Sequence, residues 1–163
     1  MIPHHPQICL YQPEIPQNAG NIGRLAAATG SRLHMVRPFG FSTSDKNLRR
    51  SGLDYWPFLD LEIHDSLSPL LERFAGRVAF LSTKATTPYY AIPDDTCLFV
   101  FGRETSGLPQ QIHDDYADCF FNIPMYHAGV RSLNLANSAA IIVYDRLRRL
   151  DERKAQHVDA TNP

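Results

Sequence analysis

Ile8-Cys-Leu-Tyr11, Gln12-Pro-Glu-Ile-Pro16, Gln17-Asn-Ala-Gly-Asn-Ile-Gly-Arg24-Leu-Ala-Ala-Ala-Thr29-Gly30 and Leu33-His-Met-Val36 follow one another near the start of the chain. The first is a short apolar run and reads as a strand. The second, punctuated by two prolines, is a rigid extended connector. From about Gln17 or Asn18 to Thr29, the apolar residues Ile22, Leu25, Ala26 and Ala28 predict a helix, and Gly30 stands where glycine stops one. Leu33 to Val36 is a second strand, ended by Pro38. Strand, helix, strand in that order is the unit of a parallel sheet.

The rest of the chain extends the pattern. Val78-Ala-Phe-Leu81 and Cys97-Leu-Phe-Val-Phe101 are unbroken apolar runs, which predicts central strands buried on both faces. Phe58 to Ile63 alternates apolar and acidic residues, a half-exposed strand. Ser44-Asp45 caps a short helix from Lys46 to Arg50, and Asp65 or Ser66 caps another to Phe74. Ser82 to Thr96 reads as loop, broken by Pro88 and Pro93. Pro109 opens a short helix, Cys119 to Ile123 is the last strand, and Leu133 to Leu150 the last helix. In it Leu133, Ala136, Ala140, Ile141, Tyr144 and Leu147 recur at helical spacing. Asn134 and Asn137 fall inside that helix, against their propensity. Residues 1–151 form one α/β domain with a mostly parallel sheet and flanking helices, and the polar residues 152–163 are expected to fray.

At 163 residues, 44% hydrophobic and 20% charged, the composition is that of one globular domain. It offers no run long and apolar enough to span a membrane and no secretory leader, so a cytoplasmic protein is expected. Cys9, Cys97 and Cys119 lie apart in apolar runs, the pattern of buried reduced thiols. The seven histidines show no ligand spacing, and no metal is expected. A net charge of −1 conceals a gradient. Residues 1–60 carry six Lys/Arg against four Asp/Glu, residues 61–130 four against nine, and residues 131–154 six against three. Where the two basic segments fold together they make a basic face, which permits an RNA partner without demanding one.

Three motifs stand where strands give way to helices or loops, the place where open α/β sheets bind ligands. The first is Asn18-Ala-Gly-Asn-Ile-Gly-Arg24. Arg24 is either a solvated or salt-bridged group, or an anchor for a phosphate or a polarised hydroxyl. The second is Phe101-Gly102-Arg-Glu104-Thr-Ser-Gly107-Leu-Pro109, where Gly102 permits close backbone approach and Glu104 is either a turn former or a site residue. The third is Ile123-Pro-Met-Tyr-His-Ala-Gly-Val-Arg131-Ser132-Leu133-Asn134-Leu-Ala-Asn137, a polar connector feeding a helix start. None is a Walker loop, a nucleophile elbow or a dinucleotide-binding glycine turn, which disfavours a Rossmann-type enzyme.

With Leu48-Arg-Arg-x-Gly-Leu-Asp-Tyr55, these motifs make the chain resemble the SPOUT methyltransferases over about Ile8 to Leu150. Within that class it is similar to the small single-domain tRNA 2′-O-methyltransferases of the wobble nucleotide (TrmL type). The commonest family variant has proline where Arg103 stands. The resemblance implies a C-terminal deep trefoil knot, against the usual un-knotted rule. It implies S-adenosyl-L-methionine as cofactor, held at Leu81, Thr83, Gly102, Glu104, Ile123, Ser132 and Leu133, largely by backbone groups. It gives Arg24 and Asn18 catalytic places, with Arg131 and Tyr144 near the reacting ribose or base. Tyr144 is equally explained by core packing of the last helix. Deprotonating an arginine at pH 7 costs roughly 7.5–9 kcal/mol, so Arg24 is expected to orient the ribose and stabilise alkoxide charge. Lys46, Arg49 and Arg50 are either a solvated face or contacts to the anticodon stem-loop. A homodimer packed through the last helix is implied as well. The alternatives are 2′-O-methylation of another tRNA or rRNA nucleotide, and a knotted RNA-binding module without catalysis. Asn134 and Asn137 are expected to tie loops together, a structural role.

Overall fold

The computed structural model describes residues 5–42 and 54–160. Six strands form one sheet: β1 (Gln7–Tyr11), β2 (Leu33–Val36), β3 (Leu61–His64), β4 (Val78–Leu81), β5 (Leu98–Phe101) and β6 (Phe120–Phe121). The spatial order is β3-β2-β1-β5-β4-β6, and every pair is parallel. An all-parallel sheet must be covered on both faces, because its crossovers place helices there.

The helices do so. On one face, Ile8, Leu10, Leu33, Met35, Phe99 and Phe101 pack against Ile22 and Ala26 of α1 (Pro16–Thr29) and Ala139, Ile142 and Val143 of α4 (Leu135–Ala160). On the other, Cys9, Val36, Phe80, Leu98 and Val100 meet Leu70, Leu71 and Phe74 of α2 (Ser68–Phe74), with Ile112 of α3 (Gln110–Asp115) at the margin. Phe80, Phe99 and Phe101 are fully buried, each side chain contributing about 1.5–3 kcal/mol. Cys9 and Cys97 are buried thiols, and burial holds the Cys9 thiol far above its ordinary range.

Several boundaries differ from the sequence reading. The alternation at Phe58–Ile63 resolves into a 3-10 turn at Trp56–Phe58 and a strand beginning at Leu61. On β3 it is Ile63 that faces solvent, while Glu62 and His64 turn toward the α2 side, beside His34. The last strand shrinks to two residues, because Asn122 is taken by the β4–β5 connection. Its N–H donates to the Thr87 carbonyl at 2.8 Å, its carbonyl accepts from the Tyr89 N–H at 2.7 Å, and its side-chain amide donates to the Ala85 carbonyl at 2.8 Å. The loop from Ser82 to Tyr89 is thereby laced to the segment that leaves β6.

The final helix departs from expectation in three ways. It runs on to Ala160, beyond Leu150, where Arg148 pairs with Asp145 and Glu152, and Arg153 reaches Asp94 at 3.1 Å. Opposite charges at i,i+3 and i,i+4 spacing are neighbours on a helix surface and favour its continuation. Asn134 lies outside the helix and caps it, its Oδ1 accepting the N–H groups of Ala136 at 2.9 Å and Asn137 at 3.3 Å. The buried stripe is Ala139, Ile142, Val143 and Arg146, and Tyr144 stands 57% exposed, which overturns its reading as core packing. Two apolar stripes share this helix, and periodicity alone does not say which one meets the sheet.

The proposed helix at Lys46–Arg50 lies outside the described residues. Tyr55, which follows that segment, is buried against α1, its hydroxyl donating to the Gly20 carbonyl at 2.6 Å. Tyr55→Phe is expected to cost about 1 kcal/mol in urea unfolding, and an unchanged midpoint would remove this bond from the account. Asn134→Ala is expected to lose about 1 kcal/mol through the cap, whereas Asn137→Ala, at an exposed position, stays within about 0.5 kcal/mol. Equal losses from the two would contradict the capping assignment.

Candidate active site

Strands β1 and β5 are neighbours, yet β1 leads into α1 on one face and β5 leads toward α3 on the other. At such a switch point a crevice opens beyond the carboxyl ends of the strands. Here it is a cavity of about 570 Å³, within the size range of small-ligand sites. Its wall brings together Asn18 from α1, Leu81 at the end of β4 and Thr83 beyond it, Gly102 and Glu104 after β5, Ile123 after β6, and Arg131, Ser132 and Leu133 before α4. Nine residues singled out from sequence therefore share one cavity.

The glycine spacing in Gly102-Arg-Glu-Thr-Ser-Gly107 has a steric cause. A Cβ on Gly102 would overlap the Gly107 carbonyl carbon, and Gly107 itself holds φ +68°. The two arms can then close a tight turn, with Arg103 and Gly107 exchanging backbone hydrogen bonds of 3.0 and 2.9 Å. This turn holds Glu104 toward α1. The Glu104 carboxylate accepts the N–H groups of Glu14 at 2.8 Å and Ile15 at 3.1 Å, and the Asn18 side-chain amide at 3.2 Å. Asn18 Oδ1 in turn accepts from Asn134 Nδ2 at 2.9 Å. A carboxylate at the start of α1 satisfies donors that the helix leaves open.

Glu14 answers in the opposite direction. Its carboxylate accepts the Thr105 N–H at 3.0 Å and the Thr105 hydroxyl at 2.8 Å, and pairs with Arg103 at 3.3 Å. The Thr105 backbone and hydroxyl donors, with help from Arg103, hold the Glu14 carboxyl below its ordinary pKa. Glu14 was not among the residues singled out from sequence. The signal was present: an acid between two prolines, fixed in extended backbone opposite a second acid-bearing turn. His113 also lines the cavity, stacked on Phe120 at 4.0 Å, and burial lowers its pKa.

Arg24 and Tyr144 do not join this wall. Arg24 pairs with Asp54 at 3.2 Å and lies over the Tyr55 ring at 5.1 Å, with half of its side chain exposed. Tyr144 projects from α4 into solvent. Lys46, Arg49 and Arg50 lie outside the described residues. The cavity thus has a backbone-rich interior and a polar hinge of Glu104, Asn18 and Asn134, suited to gripping a nucleoside-sized ligand at the end of the sheet.

Comparison with known proteins agrees with this geometry. A tRNA (cytidine(34)-2′-O)-methyltransferase of Methylovorus glucosotrophus is 46% identical over 147 residues, covering 88% of this chain and 95% of that one. A solved structure bearing on 2-OH methylation of C/U34 on tRNA superposes with a TM-score of 0.82 at 40% identity, over 92% of this chain and 99% of that one. The SpoU methyltransferase AviRb of Streptomyces viridochromogenes, in complex with the cofactor AdoMet, shares the fold with a TM-score of 0.74 at 23% identity, over 91% of this chain and 60% of that one. The architecture is the SPOUT α/β-knot fold expected from the resemblance. The model of the SpoU rRNA Methylase family matches residues 5–144, and the chain belongs to that family.

Proposed function

We propose that this chain transfers a methyl group from S-adenosyl-L-methionine to the ribose 2′-hydroxyl of the wobble cytidine or modified uridine of tRNA, through a methyltransferase domain over residues 1–151. The observation that carries the reading is the cavity at the β1/β5 switch point, walled by the family's three motifs and tied together through Glu104, Asn18 and Asn134.

The residues present fit the cofactor. Leu81, Ile123 and Leu133 supply apolar wall, while Thr83, Gly102 and Ser132 lie in connecting backbone whose amides and carbonyls serve a purine and a ribose. Glu104 is spent on the N–H groups of Glu14 and Ile15 and on Asn18, so it shapes the pocket. When bound, S-adenosylmethionine supplies an electrophilic methyl on its sulfonium. The chain's own task is to present O2′ of the ribose in line and to stabilise the charge that grows on it. That task is assigned to Arg24, which lies off the wall of its own chain's cavity and would orient the hydroxyl through its guanidinium donors while the proton leaves late, to water. Asn18 has both amide atoms committed, to Glu104 and Asn134, so it positions α1 and leaves O2′ to Arg24. Arg131, on the cavity wall, is assigned to the reacting ribose or the wobble base.

A homodimer belongs to this reading. Arg24 and Tyr144 lie off the cavity of their own chain, and α4 carries the second apolar stripe of Ala140, Ile141 and Tyr144 outside the core. A second copy packed on that stripe brings further side chains to the mouth of the cavity. Lys46, Arg49 and Arg50 are assigned to the anticodon stem-loop, and the setting to the cytoplasm. Among the described residues no helix is long and apolar enough to cross a membrane.

Total tRNA from a strain lacking the modification, incubated with the protein and labelled cofactor, is expected to carry label on the wobble ribose after nucleoside mapping. Label elsewhere, or none, would overturn the assignment. Arg24→Lys is expected to lower kcat/KM by at least about 100-fold, the scale of a lost transition-state donor, and near-normal turnover would exclude a need for the planar guanidinium. Replacing Lys46, Arg49 and Arg50 together with alanine is expected to flatten the log–log salt dependence of tRNA binding by about 2–3. An unchanged slope would remove them from the interface.

A further inference from the structure

His34 on β2 and Glu62 and His64 on β3 share one face of the sheet, because Glu62 pairs in register with His34 and His64 lies two residues further on. This is the α2 face, and none of the three lines the cavity. Sequence spacing concealed the group, since two strands contribute to it. His34 Nδ1 is 3.0 Å from His64 Nε2 and 3.5 Å from Glu62 Oε2, and His64 Nε2 is 3.8 Å from Glu62 Oε1. All three donor atoms lie within 4.8 Å of one another. Zinc bonds of about 2.0–2.2 Å give a tetrahedral site donor–donor edges of roughly 3.3–3.6 Å, and the separations here, 3.0 to 3.8 Å with the two histidines meeting different Glu62 oxygens, bracket that range, so a turn of the carboxylate brings one oxygen to both.

The supporting shell is also in place. The second ring nitrogen of His34, Nε2, donates to Gln7 Oε1 at 2.7 Å, which leaves the Nδ1 lone pair aimed at the cluster. Arg73 grips both Glu62 oxygens, at 3.0 and 2.9 Å, and each oxygen retains a second lone pair. Glu62 is about one-third exposed (35%), so water reaches the group from the sheet edge. Without an ion the two imidazoles share a proton, with His64 Nε2–H donating to His34 Nδ1. With an ion, His64 takes the Nδ1–H tautomer and the metal stands in the proton's place. Arg73, and Arg32 at 3.6 Å, oppose a cation, and Asp60 offsets Arg32 at 2.7 Å. That balance disfavours magnesium and calcium, which need several oxygen ligands, and leaves ions that imidazole binds strongly.

We propose that His34, Glu62 and His64 form a zinc-class divalent-metal site, completed by water, that fastens the edge strand β3 to β2. The site is structural and separate from methyl transfer. The test is calorimetric titration of the full-length, chelator-treated protein with zinc chloride, together with melting curves and the absorption of the cobalt(II) form. One zinc per chain is expected, with the melting midpoint raised on the order of 5–10 °C at saturation. Binding is expected to weaken at least ten-fold in His64→Gln and in His34→Gln, and methyl transfer to be unchanged by the chelator. Cobalt(II) in the unaltered chain is expected to give the intense visible bands of a tetrahedral ion. Zinc binding as tight in His64→Gln as in the parent chain would overturn the proposal, and so would weak, octahedral cobalt absorption in the parent. The cobalt measurement needs no variant, so it decides the matter even where His64→Gln does not fold.

Discussion

The hydrogen-bonded chain from the Glu104 carboxylate through Asn18 to Asn134 is the constraint on which the cavity depends. It joins the turn after β5, the first turn of α1 and the cap of α4, three segments that the sheet brings close but does not orient. Bonds to a charged acceptor are worth about 1.5–3 kcal/mol each, roughly twice a neutral pair. More telling is the asymmetry of loss. Removing the carboxylate leaves the N–H groups of Glu14 and Ile15 and the Asn18 amide without their acceptor, at the lip of the cavity. The reciprocal grip of Glu14 on Thr105 makes the joint two-sided, so α1 and the β5 turn hold each other in register.

Everything around this joint follows from a parallel sheet whose strand order changes direction between β1 and β5. The turn after β5 must be tight enough to admit a ligand beside it, which is why backbone crowds the place a Gly102 side chain would occupy. The helix after β1 begins without a side-chain cap of its own, and an acceptor for the N–H groups at its entry comes from the neighbouring turn. The atoms that fix the start of α1 therefore also shape the lip of the cavity. The two apolar stripes of α4 divide the remaining work: one closes the core and the other is left outward.

What was legible in the sequence was the part governed by local rules. Ile8–Tyr11, Leu33–Val36, Val78–Leu81 and Leu98–Phe101 announce buried strands because a two-sided strand needs continuous apolar residues. Motif order placed Asn18, Gly102, Glu104 and Arg131–Leu133 in one site, and they share one cavity. What stayed hidden depends on phase and pairing. Asn134 looked like a poor helix residue because propensity cannot distinguish an interior position from a cap. Tyr144 and Arg146 exchange the places that periodicity suggests, because two stripes a third of a turn apart fit the same spacing. The alternation before His64 suggested an outward polar face, yet register against β2 turns Glu62 and His64 toward His34. No count of residue types along one strand contains that information.

The lacing of Asn122 to Ala85, Thr87 and Tyr89, and the bond from Asn134 back across 116 residues to Asn18, bear on how the molecule comes into being. Contacts so distant in the chain reward the polypeptide only after their loops have closed, which makes their formation slow relative to local structure. On a ribosome, β1, α1 and β2 emerge early and can pair, but the third wall of the cavity and the cap of α4 are supplied by the last fifth of the chain. A nascent chain stalled before Asn134 carries the residues of all six strands and no finished pocket. The closed cavity is thus a property of a chain that already includes Asn134.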